Sequence, residues 1–539
     1  MSLRHTTRQL SPILGLLLTG FFLRTHLLTG FPAYIDEYRH IARAQIVFTT
    51  GQKPIEFSHG KLLLYYWLGL FQPQGTSALF VSRFALALTL LIAGAAVASI
   101  ARQLFGQRAV IPALAVFTFA PYGLFYQRMA LADSFAGALA ALAIWLTLRL
   151  LRHPIRSTGV ALGLMLALAT LAKLTAAPII ALPLVAVALL GGTSAGRRDP
   201  AAAWARYRTA LIAAGLAFAA LWALVGATAL ADLLAGGRPL LLDQQLLTLD
   251  ATTAAESLLD KLGQWVETLV LLLSTPGAIL LPGLVLAGLW ERTRPIAFVM
   301  AWMALLWGPC IVLADLFEGR YLMIGMSALA VLAGGGFAAF TTSLERLRFG
   351  ELLARALTAA TLIAWIGIFA LPRAWTLVVH PAEADVTAHD TYLYFSSPSN
   401  AWGIAEVFDY LSAQRQHTQD SVPVTALLVA ENGVEEFCGL AALYVSDGMR
   451  WSCMSQVDFP DTAIPVRVSE WPTVMAALNS APYIYVLTNA LPDDQQPLDT
   501  QTDWELVLAP ERPYGGPRML LWRVSSVAPD VVADISADR

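Results

Sequence analysis

Apolar windows near the length of a bilayer crossing recur along the first 375 residues. Hydrocarbon offers no partner to backbone N–H and C=O groups, so such windows are restricted to helices that satisfy their own backbone. Eleven windows are predicted, near 10–28, 78–101, 109–126, 134–151, 158–174, 176–191, 209–230, 264–290, 296–315, 321–341 and 356–375. Only 14% of the 539 residues are charged, against roughly 25% in soluble domains. The sequence reads as a polytopic α-helical membrane protein.

The net charge of −3 conceals an asymmetry. Residues 1–375 carry 28 basic and 16 acidic side chains, whereas residues 376–539 carry 7 and 22. The acidic stretch lacks lysine and any spanning run. It is predicted to be a soluble extracytoplasmic α/β domain with a helix at 404–414 and strands at 422–430, 483–488 and 519–524. No nucleophile motif or glycine-rich phosphate loop occurs there.

Arg4, His5 and Arg8 precede the first window, which reads as an uncleaved signal anchor. With a cytoplasmic N-terminus, alternation puts Arg102, Arg108, Arg152, Arg156, Arg206, Arg208, Arg292, Arg294, Arg346 and Arg355 inside. Asp36, Glu37, Glu56, Asp133, Asp232, Glu267 and Glu318 fall on the opposite side. This obeys the positive-inside rule and predicts a multi-pass protein of the cell membrane whose residues 376–539 face outward. The outer loop at 31–77 carries helical patterns at 36–50 and 62–71, both too short to span.

Two carboxylates, Asp36 and Glu37, follow the first window. Adjacent carboxylates at a membrane surface repel and cost solvation energy, so they mark either a solvated loop or a site. The same topology brings His59, Lys61, Arg128, Asp133, Lys173, Arg320 and Tyr321 to that face. A carboxylate accepts a proton from a nucleophile, and cations hold a phosphate leaving group. Each residue also has a plainer role: Lys61 snorkels to headgroups, Arg128 pairs with Asp133, Arg320 pairs with Glu318, and His59 is structural. Lys173 is hardest to dismiss, because an unpaired cation in an apolar stretch is costly. Of the three cysteines, Cys310 lies in a span, and Cys438 and Cys453 form either a disulfide or two buried thiols.

Five segments together resemble GT-C fold glycosyltransferases, and within them the protein O-mannosyltransferase and aminoarabinose transferase superfamily. Tyr-Ile-Asp-Glu-Tyr is similar to the first-loop acidic motif. His-Gly-Lys-Leu-Leu-Leu-Tyr-Tyr-Trp-Leu is similar to a His/Lys-Pro-Pro-Leu-Tyr-Tyr-Trp segment. Arg-Met-Ala-Leu-Ala-Asp-Ser, Leu-Ala-Lys-Leu-Thr and Arg-Tyr-Leu follow in the family's order, over residues 10–340. Where the family has Pro-Pro, this chain has Gly60, Lys61 and Leu62.

The resemblance implies transfer of a hexosyl or pentosyl group, mannosyltransferase-like, from a polyprenyl-phosphate donor to a protein, lipid or glycan acceptor. Asp36 would then be the base, Glu37 its support, and Asp133 would orient the acceptor. Asp36 and Asp133 are the candidate ligands if a divalent metal is used. His59, Lys61, Arg128, Lys173, Arg320 and Tyr321 are the candidate substrate-binding residues. Expected partners are the donor, membrane lipids and an acceptor, and no nucleic acid. The alternative is a membrane transporter or lipid flippase, marked by interrupted helices with ionisable groups at mid-membrane.

Overall fold

The computed structural model describes residues 3–191, 200–242, 257–314, 317–347, 350–397, 399–417, 425–430, 434–445, 449–455, 484–490, 504–516 and 518–524. Two compact units emerge. The first comprises Met1–Gly30, Arg43–Gln72 and Ser82–Thr387; the second comprises Phe31–Ala42, Pro73–Val81 and Ala388–Arg539. The last boundary between the compact units falls at Thr387/Ala388. The segment bearing Asp36 and Glu37 groups with the second unit, although it follows the first apolar helix in sequence.

The helices up to Val379 are α1 (Leu3–Thr25), α2 (Ile35–Ile46), α3 (Leu62–Gly69), α4 (Ala78–Phe105), α5 (Val110–Phe119), α6 (Pro121–Gln127), α7 (Ala132–Arg152), α8 (Arg156–Ala172), α9 (Leu182–Leu190), α10 (Pro200–Leu234), α11 (Leu258–Val312), α12 (Met326–Arg346), α13 (Glu351–Ala364) and α14 (Leu371–Val379). Among the described residues six helices are long and apolar enough to cross a membrane, and seven if α5 and α6, bent by 60°, form one span. Three shorter apolar helices, Leu10–Thr25, Arg156–Ala172 and Leu174–Leu190, occupy further windows. α11 covers two windows and leaves helical geometry at Ser274 and Arg292. The tight join expected between 158–174 and 176–191 is an extended Lys173 followed by a 3-10 segment, Leu174–Ala181. Pro178, which lacks an N–H, lies inside this segment, and Pro183 sits in the first turn of α9, where proline is tolerated.

Small residues set the helix packing. A Cβ on Gly159 or Gly163 of α8 would fall 2.1 or 2.0 Å from the carbonyl oxygens of Ala210 and Ala214 on α10. These backbones approach through the small-residue stripe typical of membrane helices. The end of α1 is capped from elsewhere in the first unit. Arg128 donates to the carbonyls of Leu23, His26 and Leu27 at 2.7, 2.7 and 2.8 Å, and Arg83 to that of Leu28 at 2.7 Å. Leu23 lies in the last turn of α1, and His26, Leu27 and Leu28 lie in the turn that follows it; the dipole at a helix C-terminus favours cations.

In the second unit, α15 (Ala388–Thr391), α16 (Ile404–His417) and α17 (Val434–Ala442) accompany β1 (Thr425–Ala430), β2 (Arg450–Ser455), β3 (Ile484–Ala490), β4 (Trp504–Leu508) and β5 (Arg518–Val524). The sheet order is β2-β1-β3-β5-β4. β1 runs parallel to β2 and β3, and β5 is antiparallel to β3 and β4. Tyr485, Leu487, Met519 and Leu521 are buried, the two-residue period of a sheet with one face packed. The helix and the strands predicted there match α16, β1, β3 and β5, except that residues 422–424 and 483 lie outside the described residues. β2, β4 and α17 were not predicted. Cys438 is disulfide-bonded and Cys310 is free and buried. The side chain of Cys453, the expected partner of Cys438, lies outside the described residues.

Candidate functional site

Asp133 lies in the first turn of α7, where the helix dipole favours a carboxylate. Lys173 caps the far end of α8 in an extended conformation (φ −159°, ψ 126°). Its Nζ donates to Asp133 Oδ1 at 2.6 Å, and each side chain is only 5% exposed. The same Nζ stands 4.8 Å from the centroid of the Tyr321 ring. The Arg320 guanidinium is 5.9 Å from that centroid and forms an ion pair with Glu318. Two cations and two carboxylates therefore gather around one tyrosine ring, and a cation near an aromatic face gains from its quadrupole.

The turn bearing Arg320 and Tyr321, Gly319–Gly325, is held closely. Trp307 Nε1 donates to the Leu322 carbonyl at 3.0 Å. A Cβ at Gly137 of α7 would come within 2.8 Å of the Met323 carbonyl oxygen, so glycine permits the approach that puts Asp133 and Tyr321 in one neighbourhood.

His59 and Gly60 take left-handed conformations, φ 40° and 70°. Proline is fixed near φ −65° and cannot take the conformation of Gly60. The Gly60 carbonyl accepts from the Leu174 N–H at 3.1 Å, tying this loop to the residue after Lys173. The Lys61 N–H donates to the Ser58 carbonyl at 2.8 Å. The side chains of His59 and Lys61 are half-buried.

Arg128 requires a correction. It does not pair with Asp133, whose partner is Lys173. It donates instead to the carbonyls of Leu23, His26 and Leu27 at the end of α1.

Within the second unit, Asp36 and Glu37 open α2 and have different roles. Glu37 is fully buried, and its Oε2 accepts the Tyr34 N–H at 3.1 Å. That is the reciprocal arm of a capping box; Tyr34 is not a usual cap residue, so no sequence signal marks it. Asp36 retains 18% side-chain exposure and pairs with Arg39 at 3.7 Å. Asp36 belongs to one unit and Asp133 to the other. Among the described residues no group of three His, Cys, Asp or Glu side chains converges.

No family model matches the sequence, and no curated protein matches it. Solved structures do. ArnT from Cupriavidus metallidurans in the apo state is 14% identical with a TM-score of 0.57, covering 96% of this chain and 98% of its own. The same protein bound to undecaprenyl phosphate also gives 0.57, over 97% and 99%. The archaeal oligosaccharyltransferase AglB from Archaeoglobus fulgidus, in complex with an inhibitory peptide and a dolichol-phosphate, gives 0.48 at 14% identity, over 90% of this chain and 70% of its own. The end-to-end likeness to ArnT establishes the fold: this chain has the GT-C glycosyltransferase fold.

Proposed function

We propose that this protein is a membrane glycosyltransferase that moves a sugar from a polyprenyl-phosphate donor to an acceptor on the extracytoplasmic face of the cell membrane. The observation that carries this reading is the cluster of buried Lys173, Asp133 and Tyr321 with the partly buried Arg320 and Glu318, within an apolar helical unit of the ArnT fold. Buried charges in such a unit mark function by default, because each is costly to hold.

The reading takes eleven crossings: the six long helices with α11 counted twice at its Arg292 break, the α5–α6 pair, and the three shorter apolar helices. The arginine distribution supports a cytoplasmic N-terminus and an outward second unit. Lys173 and Arg320, with Lys61 from the loop tied to Leu174, are the proposed phosphate ligands. They stabilise negative charge as it builds on the departing phosphate. Tyr321 orients the two cations, and His59 shapes the loop carrying Lys61.

In the transfer, an acceptor hydroxyl or amine attacks the anomeric carbon from the face opposite the phosphate, inverting that centre. The bond between anomeric carbon and phosphate oxygen breaks, and its electron pair stays on the polyprenyl phosphate. The acceptor's proton passes to Asp36, which is assigned from its sequence motif and its accessible carboxylate.

The test uses purified protein with a panel of undecaprenyl-phosphate-linked sugars and membrane extract as the acceptor source. Release of undecaprenyl phosphate, lost in Asp36→Asn, is the expected result. Transbilayer movement of the lipid with its sugar bond intact would overturn the reading in favour of a transporter.

A further inference from the structure

We infer that the second unit serves to fix the helix start carrying Asp36, and that Tyr444 and Asn400 are positioning residues for it. This rests on the reading of Asp36 as the base. The observation is the way residues 31–38 are built into a unit that also contains Ala388–Arg539, from the far end of the sequence.

Residues 33–35 form the approach to α2, and their backbone polar groups are taken up from two directions. The Ile35 N–H donates to the Ser399 carbonyl and the Ala401 N–H to the Ala33 carbonyl, both at 2.9 Å. This makes an antiparallel bridge between Tyr34 and Asn400. The Ala33 N–H donates to the Tyr444 hydroxyl at 2.8 Å. Rings lock the same stretch: Phe31 meets Phe395 and Trp402 edge-on at 5.4 and 5.9 Å, and Tyr34 lies 4.6 Å from Tyr394. Gly439 of α17 packs so closely on Tyr38 that a Cβ there would stand 2.0 Å from the ring.

The strand side of the bridge is itself braced. Asn400 Nδ2 donates to the carbonyls of Leu393 and Ser397 at 3.2 and 2.8 Å. Its Oδ1 accepts from Arg512 Nη1 at 2.7 Å. Burial pushes the Arg512 guanidinium down to about 10, so it remains a charged donor at neutral pH. The result is a clamped helix N-terminus on which Asp36 stays partly exposed while Phe31, Ala33, Tyr34, Ile35 and Glu37 are buried. A base must be held to within a fraction of an ångström of its proton, and misplacement by about 1 Å costs about a hundredfold in rate. A long-range brace on this segment answers that demand; a solvated loop has no use for one.

The experiment uses full-length protein in nanodiscs and the undecaprenyl-phosphate-linked sugar that the parent turns over. Four forms are compared: parent, Asp36→Asn, Tyr444→Phe and the double variant. Gly439→Ala, which forces Tyr38 to shift, is an independent second perturbation. Amide hydrogen exchange over residues 33–38 is read alongside kcat and KM. Tyr444→Phe keeps the ring and removes the acceptor for the Ala33 N–H. The expected result is faster exchange at 33–38, a kcat lower by about tenfold, KM for the lipid donor within about twofold of the parent, and a double variant no slower than Asp36→Asn. Parental kcat in both Tyr444→Phe and Gly439→Ala, or a full multiplicative loss on top of Asp36→Asn, would overturn the positioning role and leave the base assignment standing. Parental turnover in Asp36→Asn would instead remove the base assignment, and the positioning role with it.

Discussion

The Lys173–Asp133 pair separates a structural role from a functional one by energy. At 2.6 Å, and with an effective dielectric of about 20, Coulomb's law gives roughly 6 kcal/mol of attraction. Removing both charges from water costs several kcal/mol each, so the pair contributes little net stability. Asp133→Leu leaves a buried ammonium without its carboxylate, and Lys173→Met leaves the reverse. Each single change should destabilise the protein by about 3–5 kcal/mol. The double variant Asp133→Leu/Lys173→Met replaces the pair with apolar groups of similar bulk and should return to within about 1–2 kcal/mol of the parent. If Lys173 holds the donor's phosphate, the stable double variant still lacks that contact. A charge-assisted hydrogen bond contributes about 1.5–3 kcal/mol, so undecaprenyl phosphate should bind roughly ten- to a hundredfold more weakly. Thermal unfolding of the detergent-solubilised variants and calorimetric titration with undecaprenyl phosphate measure the two effects. A double variant that is both stable and as tight-binding as the parent would refute the phosphate role and leave the pair a structural element.

Three further outcomes are expected. Arg320→Lys should weaken undecaprenyl phosphate binding by about tenfold, because lysine cannot reproduce the two-oxygen fork of a guanidinium; titration checks it against parental thermal stability. Arg128→Gln should lower thermal stability by about 2–4 kcal/mol, since buried and partly buried carbonyls at the end of α1 lose a charged donor, while the folded fraction binds undecaprenyl phosphate as the parent does. Burial pushes the Asp390 carboxyl well above its ordinary value of 3.8, so the folded chain holds that proton more tightly than the unfolded one. Its contribution to stability is fully present below pH 3.8 and is lost as pH rises through the folded value. Asp390→Asn should therefore be more stable than the parent at about pH 8, with the gap closing toward about pH 4; a gap independent of pH in thermal melts would refute this.

What the sequence makes legible follows from which forces are local. The apolar windows are readable because a helix must satisfy its own backbone in hydrocarbon, and α2 and α3 are readable because their patterns lie within single segments. Charge partners are chosen differently. Arg128 and Asp133 are five positions apart, and sequence alone offers them as a pair. The structure gives Asp133 to Lys173, 40 positions on, because the extended turn after α8 delivers the ammonium to the start of α7. Arg128 turns instead to carbonyls about a hundred positions back. β2 and β4 escape detection for a related reason. In Arg450–Ser455 the apolar Trp451, Cys453 and Met454 are mixed with Arg450, Ser452 and Ser455 and form no apolar run, and its parallel pairing with β1 is a non-local fact.

The segment around Asp36 is the sharpest case. Its position after the first apolar helix suggests a membrane-surface loop, and hydropathy assigns it no other surroundings. Its backbone partners are Ser399, Ala401 and Tyr444, and a tyrosine hydroxyl more than 400 positions away carries no periodic signal. Yet the consequence is physical and local: with Ala33, Tyr34 and Ile35 all engaged, α2 can start at only one residue, and Asp36 is fixed as the second residue of that helix. The acidic second unit thereby holds the segment that carries both carboxylates of the motif, Asp36 and Glu37.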